Sequence, residues 1–262
     1  MGRLNFNRLI QDNYYIGPTI VIVGPTGSGK TGSSIGLALE LRRQGIEGEV
    51  ISADSRAIYK GLDVGTAKPC TEERKNVAHF GFDLVEPGMR FTVADWKEYA
   101  EQKIEEIRAR GHVPIVSGGT GLYIDALIFD YQFGLIEQKN CSDRTEMSED
   151  FLVFGVKFEP EKLRERLAKR LDKMYDKALF RETQKLVENY GWENQAMKSN
   201  IYQFAWKYLE GELSLDEAKQ QNLYDDWHLA KRQMTWFKRN HNIIWLPLEK
   251  IIQNVIELLQ DE

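Results

Sequence analysis

The regular pattern of the chain begins with "TIVIVG" (19–24), a β-branched apolar run that ends on glycine and predicts a buried strand. After Lys30, apolar residues Ile35, Leu37, Ala38 and Leu41 fall on one helical face, and Gly45 supplies a stop. "EVISAD" (49–54) predicts a second strand, ending in an acid. "RFTVADWKEYAEQKIEEIRARG" (90–111) predicts a helix capped by Thr92, with Asp95 in its first turn and Gly111 at its close. "VPIVSGGTG" (113–121) predicts a third strand running into a glycine turn. Strands alternating with helices imply an α/β fold with a mostly parallel sheet.

The pattern then lapses. Residues 132–150 are polar and without period, and predict a loop or connection. "FLVFGVKFE" (151–159) predicts one more buried strand, and from Pro160 the chain reads as helical. "PEKLRERLAKRLDKMYDKALFRETQKLVENYG" is one long helix or two, "NIYQFAWKYLEG" is amphipathic, and "SLDEA" carries a Ser-x-x-Glu capping box. "IIWL" (243–246) fits an edge strand.

Composition adds limits. At 42% hydrophobic and 29% charged over 262 residues, the chain is an ordinary globular sequence. A net charge of −5 is wrong for a broad nucleic-acid coat, so any basic surface must be local. Cys70 and Cys141 belong to no C-x-x-C pair, which argues against structural zinc and a disulfide framework and for a cytoplasmic protein. The first residues lack the apolar region of a secretory signal, and no run approaches the roughly 18 apolar residues of a membrane span.

The candidate chemistry sits at strand ends, where open α/β sheets bind ligands. "GPTGSGKT" (24–31) is a phosphate loop. Its backbone N–H groups and the following helix terminus cradle an anion, Gly27 and Gly29 permit the tight path, Lys30 reaches terminal phosphates, and Thr31 can hold magnesium. The loop and the strands predict a P-loop NTPase-like sheet with a helical C-terminal part. Asp54 ends a strand on the same rim, where it can hold magnesium, position a nucleophile or cap the next helix. "GTAKP" brings Lys68 near, and "GGTG" (118–121) offers backbone N–H groups and the Thr120 hydroxyl. Arg166 and Arg170 share one helical face, suited to phosphate or to pairing with neighbouring glutamates. "AKRQMTWFKR" (230–239) mixes basic residues with Trp236 and Phe237, as in RNA-binding surfaces and in ordinary amphipathic helices alike.

In order, "GPTGSGKT", "ISADS", "IYKGLDVGTAKP", "HFGFDLVEP", "FTVADW", "VSGGTGLYI" and "AKRQMTWF" resemble the tRNA dimethylallyltransferase (tRNA isopentenyltransferase) family, densely over 19–128 and more loosely over 151–246. The resemblance implies transfer of a dimethylallyl group from dimethylallyl diphosphate to the exocyclic amine of the adenine 3′-adjacent to the anticodon. It implies that Gly24, Pro25, Thr26, Gly27, Ser28, Gly29, Lys30 and Thr31 hold the diphosphate leaving group together with Arg170. It implies Asp54 as the group that takes or orients the amine proton, with Thr31 and Arg170 beside it in catalysis, and Mg2+ at Thr31. Ser55, Lys68, Thr120 and Tyr123 are expected on the acceptor side, and Lys231, Arg232, Gln233 and Trp236 against the anticodon stem-loop. A monomer is expected. The reading divides the chain into an N-terminal extension (1–18), a P-loop α/β core (19–131), a reduced insertion or loop (132–150), and a final core strand with a helical RNA-facing region (151–262).

The family usually carries a helical insertion where residues 132–150 stand. Its Thr-Arg before "AKRQ" is replaced by Asp226-Trp227, only Tyr202 remains of a "GYKE"-like stretch, and Ala57 replaces a longer residue. These differences fall on the RNA side, so a free adenine nucleotide is an alternative acceptor. The loop alone also admits an ATP-binding small-molecule kinase, or a nucleotide-binding protein that has lost its reaction.

Overall fold

The structure, a computed structural model, describes residues 8–70, 74, 76–133 and 146–261. In the N-terminal extension β1 (Ile10–Gln11) and β2 (Tyr14–Tyr15) form a small antiparallel hairpin. The main sheet comprises β3 (Thr19–Val23), β4 (Gly48–Ala53), β5 (His79–Phe80), β6 (Val113–Gly118), β7 (Phe151–Lys157) and β8 (Ile244–Pro247). Its order is β5-β4-β6-β3-β7-β8, and every pairing is parallel. The expected mostly parallel sheet is therefore present, with "IIWL" at one edge.

Every residue of β3 is buried, as a strand covered on both faces requires. Ile20 and Ile22 face α1 (Lys30–Gln44) and α8 (Leu248–Asp261), joining Leu37, Leu41, Ile251 and Val255. Val21 and Val23 point the other way, into a core with Trp96 of α2 (Val93–Arg108) and Ile124 of α3 (Gly121–Ile128). Thr92 and Asp95 form a reciprocal capping box at the start of α2. Val23 and Ala53 both pair with Gly118, so the three strands leading to the phosphate loop, Asp54 and the glycine turn end in one row.

The long helical stretch is two helices, α4 (Pro160–Met174) and α5 (Lys177–Tyr190). Asp176 breaks it, its carboxylate accepting the N–H groups of Ala178 and Leu179 as an N-cap. Next come a 3₁₀ turn (Gln195–Lys198), α6 (Asn200–Leu209) and α7 (Leu215–Phe237), the last opened by the predicted Ser214–Glu217 capping box. The structure adds β1, β2, β5 and α8 to the elements expected from the pattern. The three strands have only two residues each, too few to show a period. Most of the polar connection at 132–150, including Cys141, lies outside the described residues.

Candidate active site

The phosphate loop leaves β3 at Gly24 and enters α1 at Lys30. Gly27 and Gly29 have φ of 74° and 98°, in the left-handed region that favours glycine. Bare backbone is also needed for contact: a Cβ on Gly27 would stand 2.7 Å from Leu167, and one on Gly29 2.8 Å from the Arg166 guanidinium. Helix α4 thus lies directly on the loop. The Lys30 ammonium folds back and donates to the Pro25 carbonyl at 2.7 Å. Although the residue is part-exposed, protein surrounds its ammonium, and burial lowers its pKa to about 8, with Asp54 opposing the fall and Arg170 adding to it.

Beyond β4, Asp54 does the local structural work its position allowed, at a turn rather than a helix start. Its Oδ1 accepts the backbone N–H groups of Arg56 at 2.8 Å and Ala57 at 3.3 Å, which fixes the turn. Oδ2 forms no hydrogen bond among the described residues. Thr120 at the end of β6 accepts the Ser55 N–H at 3.0 Å, so the "ADS" and "GGTG" turns are tied together.

Helices α4 and α7 close the site. Arg170 Nη1 donates to Thr26 Oγ1 at 3.0 Å. Gln233 accepts the Thr26 N–H through Oε1 at 2.8 Å and donates from Nε2 to the Gly119 carbonyl at 2.9 Å. The glycines at 119 and 121 make this approach possible. A Cβ on Gly119 would meet Gln233 at 2.5 Å, and one on Gly121 would meet Trp236 at 2.2 Å.

Two cavities result. One, about 450 Å³, is lined by the loop, Lys30, Thr31, Arg166 and Arg170. The other, about 520 Å³, is lined by Ser55, Thr120, Asn200, Asp226, Arg232 and Trp236. Thr26, Asp54, Thr66, Gly119, Arg170 and Gln233 border both. The first is a phosphate chamber by its donors. The second mixes polar groups with an indole, as a chamber for a base does. Asp226 in this chamber accepts from Asn200 at 2.9 Å, and burial raises its pKa against the opposing effects of Asn200 and Arg170.

Several expected site residues are placed differently. Gly24, Pro25 and Ser28 do not line the phosphate chamber; they form the loop's inner turn, where the Pro25 carbonyl accepts from Ser28 N–H and Lys30. Lys68 borders the phosphate chamber rather than the base chamber. Its ammonium is held by Asp63 at 2.8 Å, Asp83 at 2.6 Å and the Tyr59 carbonyl at 2.8 Å. Tyr123 lines neither chamber. It is buried and stacked on Trp96 with centroids 4.7 Å apart, and burial holds its hydroxyl pKa well above the ordinary range. Both Gln233 amide groups bind protein. Lys231 lies outside both chambers, 5.2 Å over the Trp227 ring.

Arg166, expected on one helical face with Arg170, lies with it in the phosphate chamber, whereas another contributor, Glu182, had no such signal. Glu182 on α5 accepts the N–H groups of Asp63, Val64 and Gly65, together with the Tyr202 hydroxyl. It anchors the start of "DVGTAKP" from more than a hundred positions away in the chain. No short motif marks such a contact.

Comparison with known proteins supplies a context for this geometry. The model of one family, IPP transferase, matches residues 57–149 and 134–240. The chain is 35% identical to the tRNA dimethylallyltransferase of Acetivibrio thermocellus, over 90% of this chain and 95% of that protein. Its fold superposes with a TM-score of 0.80 on the full-length tRNA isopentenylpyrophosphate transferase of Bacillus halodurans, at 29% identity, covering 93% of this chain and 97% of that one. The TM-score is also 0.80 for tRNA Δ2-isopentenylpyrophosphate transferase of Staphylococcus epidermidis, at 28% identity, covering 93% and 99%. The Acetivibrio alignment runs over 303 positions, more than the 262 residues of this chain, so that relative has residues without a counterpart here.

Proposed function

The chain belongs to the IPP transferase family, and on that premise we propose that it is a tRNA dimethylallyltransferase. It transfers the dimethylallyl group of dimethylallyl diphosphate to the exocyclic amine of the adenine 3′-adjacent to the anticodon. The similarity to tRNA-acting enzymes favours this reading over a free-nucleotide acceptor or a kinase. The observation that carries the chemistry is that Asp54 and Arg170 border both chambers.

The diphosphate occupies the loop chamber and the flipped-out adenine the other. As the amine nitrogen bonds to the allylic carbon, the carbon–oxygen bond breaks and its electron pair leaves with diphosphate. Lys30, Arg166, Arg170 and the loop N–H groups face the growing charge, the preorganised arrangement that stabilises it most effectively. Arg170 already has Nε on Met174 and Nη1 on Thr26, which leaves Nη2 to donate to the leaving group. Asp54 takes the proton that the amine sheds, at the carboxylate oxygen not used by the turn.

The donor set also fits magnesium. Thr31 lines the phosphate chamber and Asp54 borders it, and magnesium prefers one or two such oxygens, several waters and substrate phosphate. Thr31 would hold the ion, which would neutralise diphosphate charge.

A single chain supplies both chambers, which supports a monomer, and the anticodon stem-loop as substrate supports a cytoplasmic site of action. No described helix is long and apolar enough to cross a membrane. Labelled dimethylallyl diphosphate supplied with unmodified tRNA should deliver its label to RNA. Label on adenosine monophosphate and none on RNA would overturn the reading.

A further inference from the structure

A third cavity, about 760 Å³, lies on the far side of α7. Phe158, Trp227, Met234 and Trp245 give it an apolar lining, and Lys157, Lys231 and Lys238 also border it. We propose that this groove is a second RNA site, which stacks an unpaired base of the substrate outside the reaction channel and binds its flanking phosphates. The inference rests on the tRNA reading above.

Unpaired bases are held by aromatic faces and positive grooves together, and this groove offers both. The Trp245 indole lies against Gly155, where a Cβ would stand 2.4 Å from the ring, so a bare strand position seats it. Lys231 sits 5.2 Å over the Trp227 ring. Lys157, Lys231 and Lys238 are exposed and enter no ion pair among the described residues, in a chain whose net charge is −5. The nearby Glu159 pairs with Lys162 at 3.0 Å instead. Lysine is depleted from protein–protein contacts, so three around one aromatic patch favour phosphate over a protein partner.

Helix α7 connects the groove to the channel. Arg232 and Trp236 face the base chamber, while Lys231, Met234 and Lys238 face the groove. A strand leaving the chamber needs only to cross one helix to reach it.

The test uses a fluorescent stem-loop RNA carrying the acceptor adenine, followed by anisotropy against salt and by transfer kinetics. Lys157→Gln combined with Lys238→Gln touches only exposed residues and should lower the slope of log affinity against log salt by about 1.4, at roughly 0.7 per single-strand phosphate contact. Trp227→Ala should raise the Kd and KM for RNA about tenfold, the loss of one stacked base. In both variants kcat and the KM for dimethylallyl diphosphate should hold. An unchanged RNA affinity and salt slope in the lysine pair would overturn the proposal, whether or not Trp227→Ala folds. So would a Trp227→Ala variant that loses self-association by sedimentation while RNA binding persists. If wild-type protein prenylates no RNA, the functional reading fails instead, and anisotropy still reports on the groove.

Discussion

Gln233 accepts the backbone N–H of Thr26 at 2.8 Å, a bond between positions 207 apart in the chain. It joins α7 to the phosphate loop, and its other amide end holds Gly119. Gln233→Ala removes both bonds and frees the wall between the chambers. Each is worth about 1 kcal/mol, so the KM for dimethylallyl diphosphate should rise roughly tenfold or more. Steady-state kinetics at saturating RNA would show it; unchanged constants would mean that packing alone holds the wall.

Asp54→Asn keeps an oxygen for the Arg56 and Ala57 N–H groups, so the turn should survive. The amide cannot take the amine proton. Transfer should fall by about 10²–10⁴, the usual contribution of a positioned base, while diphosphate affinity measured by calorimetry changes little. Wild-type turnover in this variant would remove Asp54 from the mechanism.

Lys30 gives the site a pH signature. Its pKa of about 8 lies below the ordinary 10.5, because the surrounding protein buries the ammonium. The unfolded chain therefore holds this proton more tightly, and the lysine's contribution favours the folded state increasingly from about pH 8 toward 10.5. A bound diphosphate reverses the preference. Binding should take up a proton above about pH 8 and weaken as pH rises further. Calorimetry in two buffers of different ionisation enthalpy would read the uptake, and Lys30→Met should abolish it.

Glu182 collects three backbone N–H groups and the Tyr202 hydroxyl. Glu182→Ala leaves these donors without their carboxylate. Loss of charge-assisted bonds at a part-buried site should lower stability by about 2–3 kcal/mol in urea unfolding. The KM for RNA should rise as the loop loosens, since Gly65 and Thr66 border the base chamber.

Gly121→Ala would put a methyl group 2.2 Å from Trp236. The indole cannot yield without moving α7, so a cost of about 1–3 kcal/mol is expected, with a larger loss of activity than of stability. Gly36→Ala is a useful control. Its Cβ would stand 2.9 Å from the flexible end of Ile252, and Gly36 lines neither chamber, so the change should spare turnover.

The sheet was legible because its strands are continuous apolar runs ending in glycine or acid. The loop residues Thr26, Gly27, Gly29, Lys30 and Thr31 were legible because anion binding by backbone demands their spacing. Lys68 and Tyr123 were misplaced for one reason: a residue near a rim motif can turn inward. Lys68 finds two aspartates there, and Tyr123 finds Trp96. Gln233 and Glu182 act on backbone groups supplied by distant segments, so no local pattern could announce them. The break between α4 and α5 depends on Asp176 alone, a single polar residue inside an otherwise continuous helical period.

Leu248, the first residue of α8, lies against Gly29, where a Cβ would come within 2.9 Å of its side chain. The phosphate loop leaves the ribosome before α4, α7 and α8, yet its seat is built from them. A nascent chain holding only the first strands has the motif without the pocket. Capacity to sequester diphosphate is therefore acquired only once α8 has been made, so a product stopped before it would not withdraw prenyl donor from the cell.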